Sequence, residues 1–592
     1  MGSGHKGVGS IYIYMRKVLI IGAYYALKPS LVKEMSQSLL EAQTVAVDLR
    51  WASIGVGEPD EFLDRYTEFQ VTQGDKFSIL NRLIASCDLE EYDYLLVIDD
   101  DIGLPEGWLD DFLTLAADCE LDICQPARSA NSDVGHAFTL QIPGIQARET
   151  EFVEVGPVVA VCRSAFASLV PFDETFPMGW GMESAWRAIC GRDGLRMGII
   201  DACPIEHTFR PTLAHYDRDS TVEAMNNILH ERSLGGVFDG QKVLATYSND
   251  TWQRHWPEPS LTIEISVVIT TLNRLSEVRR VLQSLAQQTI DAPPFEVVLV
   301  DDGSATGHEE LVQEFQDLLR LTFVTKKNSG IASSRNLGLF IARGEVVLFQ
   351  DDDDYLAPDF LEKLSSAHRE RSGERDVILN ATELDEVLTN SYLMLHSTSS
   401  RGGQLYAYDL FGDGDELTPR EFWGGRISVK RRFLIECGVF DARFTWGYED
   451  TELGERLAPH GMRVFYAATP RAYSFRQLTL RELLHRSYKQ GLALARLVQY
   501  SNFKVLADHY GYVFDVRYAI DTERLEQLAS ITERALLDAD ELLARGIDAD
   551  AAFHLFVDEL ILLLHRAYVH QGVIKGAGTS ELASHTLISS AS

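Results

Sequence analysis

The chain has 592 residues, too many for one hydrophobic core, so at ordinary α/β sizes it divides into two domains of roughly 200 to 250 residues plus an extra segment. Its 45% hydrophobic content suits a globular enzyme-like chain, and its formal net charge of -34 argues against a nucleic-acid backbone or an anionic membrane as main partner, because both require basic surface. The seven cysteines are scattered with no CxxC pair, which fits a reduced, cytoplasmic protein without a disulfide framework.

The first 14 residues, "MGSGHKGVGSIYIY", are Gly-rich, lack the apolar region and cleavage site of a signal peptide, and read as a leader or loose end. "KVLIIGA" and "TVAVDLR" predict strands around a helix in "PSLVKEMSQSLLEAQ"; a helix in "DKFSILNRLIASC" and strands in "YLLVIDDD" and "LDICQPA" follow. Near "YSNDTWQRHWPEPSLTIE", Pro257 and Pro259 break any helix before a new strand, which sets domains at 15–255 and 256–490. The second half repeats the pattern, with strands in "ISVVITTLNR", "FEVVLVDDGS", "LTFVTKK" and "EVVLFQDDDD" and helices in "SEVRRVLQSLAQQT" and "IASSRNLGLFIARG". First to second strand is roughly thirty residues in each half, as successive βα units require, so two copies of one α/β fold with a mostly parallel sheet are expected.

After about residue 478 the strand pattern stops and a helical tail begins, 491–592, read as scaffold or as an oligomer contact. Its most apolar stretch, "FHLFVDELILLLHRAYV", carries Asp558, Glu559, His565 and Arg566, so an amphipathic or buried helix is expected in place of a membrane span.

Two strands run into carboxylates, Asp99 to Asp101 in the first half and Asp351 to Asp354 in the second. Like charges that close repel and raise one another's pKa. In open α/β sheets, however, strand C-termini border the ligand crevice, and converging carboxylates become favourable when a cation takes up their charge. Hard oxygen donors suit Mg²⁺ or Mn²⁺, with phosphates of a substrate completing the coordination.

"VVITTLNR", "VVLVDDGS", "NSGIASSRNLGLFIARGE", "LFQDDDDYLAPDFL" and "WGYEDTELGERL", in that order over residues 263 to 490, resemble the successive signatures of family-2 glycosyltransferases of the GT-A fold. The resemblance implies a nucleotide-diphosphate sugar donor, usually a UDP-sugar, and transfer with inversion. It implies that Thr271 and Asp302 line the base and ribose pocket, that Arg335 helps to hold the nucleotide, and that Asp351 and Asp353 bind the metal, Asp353 directly. Asp450 is the expected general base and Glu449 its acceptor-binding partner, both at a helix start where the dipole favours anions. In "HRSYKQG", Arg486 and Lys489 are candidates for closing over the donor phosphates; His485 is either a metal ligand or a packing residue.

The first half, over residues 60 to 216, resembles the family known as domain of unknown function 707, itself similar to GT-A glycosyltransferases, through "YDYLLVIDDDIG", "LDICQPARS", "TEFVEVGPVVAVCRSAF" and the stretch from "MGWGMES" onward. Asp99 and Asp101 then correspond to Asp351 and Asp353, Glu183 to the catalytic carboxylates, His207 to a third metal ligand, and Lys76 to a phosphate contact. The expectation is a two-site, metal-dependent glycosyltransferase built from tandem GT-A-like domains, acting on a glycan or glycolipid acceptor. Its alternative is a single C-terminal transferase with an N-terminal glycan-binding module. Peripheral membrane contact and a homo-oligomer through the C-terminal helices stay open, and a glycoside hydrolase has no use for the repeated acidic strand ends.

Overall fold

A computed structural model of the chain describes residues 15–57, 60–209, 218–255, 262–305, 308–500, 516–547 and 551–589. The expected leader and the two junction prolines, Pro257 and Pro259, lie outside them. Contacts divide the chain into two units, 1–141 with 145–254, and 142–144 with 255–592.

In the first unit, ten strands among the described residues form one sheet. They are β1 (Arg16–Tyr25), β2 (Val45–Ile54), β3 (Thr67–Val71), β4 (Tyr94–Ile98), β5 (Ile123–Arg128), β6 (Ala147–Thr150), β7 (Val158–Cys162), β8 (Met197–Ile205), β9 (Val243–Ser248) and β10 (Thr251–Arg254). The order is β10-β9-β6-β8-β5-β7-β4-β1-β2-β3. The five residues of β4, "YLLVI", are all buried, the unalternating pattern of a strand covered on both faces.

The second unit repeats the parallel start. β11 (Ile265–Thr271), β12 (Phe295–Asp301), β13 (Leu321–Thr325) and β14 (Val346–Gln350) pair in parallel in the order β13-β12-β11-β14. The helix Leu275–Ala286 forms because Val278, Val281, Leu282 and Leu285 recur at helical spacing, and that stripe is buried against the sheet. The sheet continues through β15 (Asp354–Leu356), β16 (Asp376–Leu384), β17 (Glu416–Leu417), β18 (Arg426–Lys430) and β19 (Arg463–Ser474).

Both sheets are mixed, where the strand pattern predicts mostly parallel order. In the first, β7 enters antiparallel between β4 and β5; in the second, β18 lies antiparallel between β14 and β16. The runs "VVAVC" and "RISVK" are short and lack the βα spacing that signals a parallel strand.

The domain boundary expected at 490 falls inside the helix Leu480–Tyr500, which packs with the helices Thr522–Ala544 and Ala551–Ser589. Gly491 and Gly572 let two of these helices approach closely, since a Cβ at either would stand 2.1 Å from a backbone oxygen of the other. Val557, Ile561, Leu564 and Ala567 form the buried stripe of the last helix, and no helix among the described residues is long and apolar enough to cross a membrane.

Candidate active site

β14 ends at Gln350 and the chain turns through Asp351, Asp352 and Asp353 into β15. One oxygen from each of Asp351, Asp353 and Asp354 lies within 4.8 Å of the others, the one such group of three among the described residues. Gly425 makes room for it, because a Cβ there would stand 2.0 Å from the Asp351 carboxylate. The donor set is all carboxylate oxygen and fits a hard divalent cation.

Four guanidiniums offset the crowding. Arg274 reaches Asp352 and Asp353 at 2.7 Å each, Arg476 lies 3.4 Å from Asp353, and Arg335 3.5 Å from Asp351. Arg426 bridges Asp351 at 3.1 Å and the fully buried Asp354 at 2.7 Å. Burial pushes the Asp354 and Asp352 carboxyls up to about 7, assisted by the neighbouring carboxylates. Asp353 is buried as deeply, yet Arg274, Arg476 and Arg426 outweigh the desolvation and hold its pKa below the ordinary value.

Thr271 and Asp302 are engaged within the protein. The Thr271 hydroxyl donates to Asp352 at 2.8 Å. Asp302 pairs with the buried Lys326 and accepts the N–H groups of Ser329 and Gly330 at 3.0 and 2.9 Å, which fixes the turn into the helix Ile331–Ile341. Every side chain of that helix from Ala332 onward is buried. Arg335 projects from it, and its guanidinium is satisfied by Glu449 at 2.8 Å.

Glu449 and Asp450 open the helix Glu449–Leu457 behind Tyr448, whose φ of 63° makes the turn. Burial, helped by the charge of Asp450 and opposed by Arg335, pushes Glu449 up to about 7. Asp450 is half-buried and accepts the Gly424 N–H at 3.0 Å. On the helix Leu480–Tyr500, Arg486 and Lys489 lie over the Trp446 ring at 5.2 and 5.5 Å. His485 is exposed and outside the carboxylate group, because the buried face of its helix is the one that carries Leu483, Leu484 and Ser487.

The first unit differs. Lys76, in the first turn of the helix Lys76–Ile84, holds Asp99 at 2.5 Å. Gly103 and Glu206 bond reciprocally at 2.9 and 3.2 Å, bringing His207 Nε2 to 3.4 Å from Asp101. The expected set of Asp99, Asp101 and His207 is therefore not assembled as three ligands: Asp99 is taken by an ammonium group, and two groups remain adjacent. Glu183 is buried at the start of the helix Met182–Asp193, accepts the Gly181 N–H at 2.9 Å, and is pushed up to about 7 by burial and by the charge of Glu154.

Arg274, Arg426 and Arg476 were not singled out by the sequence, although Arg274 closes the stretch "VVITTLNR". The signal was indirect: four successive carboxylates call for cations, and Arg426 is delivered by the β14–β18 pairing of Gln350 with Arg426.

Residues 266–403 match the model of glycosyl transferase family 2. The second unit thus carries a domain of that family, and the match spans Thr271, Asp302, Arg335 and the four aspartates but stops before Glu449. Validoxylamine A glucosyltransferase of Streptomyces hygroscopicus subsp. jinggangensis is 31% identical over 221 residues, 33% of this chain and 52% of that one. Chondroitin synthase of Escherichia coli is 30% identical over 238 residues, 35% of this chain and 34% of that one. The chain spans about half the length of the first relative and a third of the second. Among solved structures, mannosyltransferase PcManGT from Pyrobaculum calidifontis in complex with GDP-Man and Mn²⁺ has a TM-score of 0.37 and 19% identity, covering 55% of this chain and 90% of that chain. A likeness of that size carries no argument about this chain.

Proposed function

We propose that the second unit transfers a sugar from a nucleotide-diphosphate sugar, a UDP-sugar, to a hydroxyl group of a glycan acceptor, with inversion and with Mn²⁺ or Mg²⁺ held by Asp351 and Asp353. The observation that carries this reading is the convergence of Asp351, Asp353 and Asp354 at a strand C-terminus inside the stretch that matches the family. When bound, the cation would neutralise the departing diphosphate.

The protein's own groups supply the rest. Arg274, Arg426 and Arg476 gather positive charge around the acidic turn, with Arg486 and Lys489 beside Trp446 as further candidates for the phosphates. Preorganised charge of this kind needs no reorientation as the bond to the leaving group breaks. Asp450, the more accessible of the helix-start pair, takes the acceptor proton onto its carboxylate. Glu449 positions Arg335, and Thr271 and Asp302 hold the walls of the donor site.

For the first unit, the contact of His207 with Asp101 and, separately, the buried carboxyl of Glu183 at a helix start support a second transfer site acting on the same growing glycan. The Lys76–Asp99 pair favours the other reading, a module that binds glycan without catalysis. Asp353→Asn tests the central site: Mn²⁺-dependent binding of a UDP-sugar should fall with turnover, and binding equal to that of the unaltered chain would count against Asp353 as a metal ligand.

A further inference from the structure

The first unit resembles the second in its acidic strand end but not in what surrounds it. Arg128, 3% exposed, directs one guanidinium nitrogen to His207 Nδ1 at 3.2 Å and the other to Glu154 and to the Gly156 carbonyl, at 2.5 and 2.9 Å. A guanidinium has only donors, so His207 Nδ1 accepts. The ring proton is then on Nε2, the nitrogen that faces Asp101. A metal-bound histidine has the reverse arrangement: one nitrogen offers its lone pair to the ion while the other donates N–H to a carboxylate, a carbonyl or water. Here the outer nitrogen meets a donor, and the inner nitrogen carries the proton that a metal would have to displace.

Lys76 points the same way. Its ammonium lies 2.5 Å from Asp99, and a Cβ added at Gly156 would stand 3.2 Å from Nζ and 3.3 Å from the Asp99 carboxylate, so glycine leaves the space in which the pair is seated. In the second unit the corresponding residues, Asp351 and Asp353, also meet cations, the guanidiniums of Arg335, Arg426, Arg274 and Arg476, but they converge with Asp354 into a group of three carboxylates that has no counterpart among the described residues of the first unit. We propose that the acidic site of the first unit works without a divalent cation, with Lys76 and Arg128 as its fixed positive charges and His207 as a hydrogen-bond donor to Asp101. The two halves of the chain then differ in metal requirement, whether or not the second unit transfers sugars.

Mn²⁺ alone is the probe. In the full chain carrying Asp351→Asn and Asp353→Asn, folded by circular dichroism, bound Mn²⁺ measured by electron paramagnetic resonance should fall to background, and adding His207→Gln should change nothing further. One remaining equivalent that His207→Gln or Asp101→Asn removes overturns the proposal. Ring ¹⁵N spectra of the unaltered chain give a second reading that does not depend on those variants. The His207 signals, assigned by their loss in His207→Gln, should show an accepting Nδ1 and a protonated Nε2 both with and without Mg²⁺, the diamagnetic hard cation used here because Mn²⁺ broadens nearby signals. Transfer of the proton to Nδ1 when Mg²⁺ is added would refute the assignment.

Discussion

Gly425→Ala separates the carboxylate geometry of the second unit from its stability. The added Cβ would stand 2.0 Å from Asp351 Cγ and Oδ1 and 2.1 Å from Oδ2, against the 3.4 Å at which ordinary contact begins, so the carboxylate must retreat by about 1.4 Å. It is the end of a half-buried side chain and can move without disturbing the backbone, and Gly425 does not have a positive φ that alanine would strain. The retreat takes Asp351 out of its 4.8 Å grouping with Asp353 and Asp354 and away from Arg426, now at 3.1 Å. Misplacing one ligand or its support typically costs 10- to 100-fold in metal affinity, about 1.4 to 2.7 kcal/mol. Isothermal titration with Mn²⁺, alongside a thermal unfolding scan, measures both consequences. Mn²⁺ affinity within about twofold of the unaltered protein, in a chain that unfolds normally, would refute the role given to Asp351.

Other substitutions probe the remaining groups. Asp450→Asn should leave UDP-sugar binding intact while transfer falls by about 10² or more, as loss of a general base requires; weaker binding with turnover preserved would make Asp450 a binding residue. Glu183 has a folded pKa of about 7 against 4.5 unperturbed, so its native form keeps a proton that the unfolded chain gives up. The stability it contributes is fully present below pH 4.5 and is lost as pH rises through about 7, a change of about 3 kcal/mol. Unfolding of the unaltered chain and of Glu183→Gln from pH 5 to pH 8 should therefore diverge in favour of the variant, and parallel pH profiles would refute the shift. Asp558 accepts hydrogen bonds from His396 at 2.7 Å, Tyr392 at 3.0 Å and Arg401 at 3.0 Å. Asp558→Ala strands a fully buried histidine but a 40%-exposed Arg401, so about 2 kcal/mol is expected, less than for a wholly buried pair. An unchanged urea midpoint would show that the contact does not tie the last helix to the segment around His396.

The parallel strands were legible because "YLLVI" and "VVLFQ" are short buried runs that lead into carboxylates and "ISVVITT" is a β-branched run one βα unit before the next strand, and Asp351, Asp353, Glu449 and Asp450 are local features of the motifs that follow such strands. The antiparallel strands β7 and β18 were not, since each is defined by a distant partner. The charge balance of the site was hidden for the same reason. Arg426 reaches Asp351 across 75 positions and Arg476 reaches Asp353 across 123, and no spacing rule spans those separations. In the first unit the resemblance of motifs suggested a metal set, and what altered the chemistry was Arg128 behind His207, a contact between strand ends 79 positions apart.

Under the proposed function the second unit is a glycosyltransferase that depends on a divalent cation. Release of free nucleoside diphosphate from a panel of UDP- and GDP-sugars, measured with Mn²⁺, after EDTA, and with Asp353→Asn, tests it most directly. At least one UDP-sugar should be turned over, and turnover should disappear both with EDTA and in the variant. Release that persists undiminished in EDTA and in Asp353→Asn, or no release from any donor by the folded protein with Mn²⁺ present, would contradict the account.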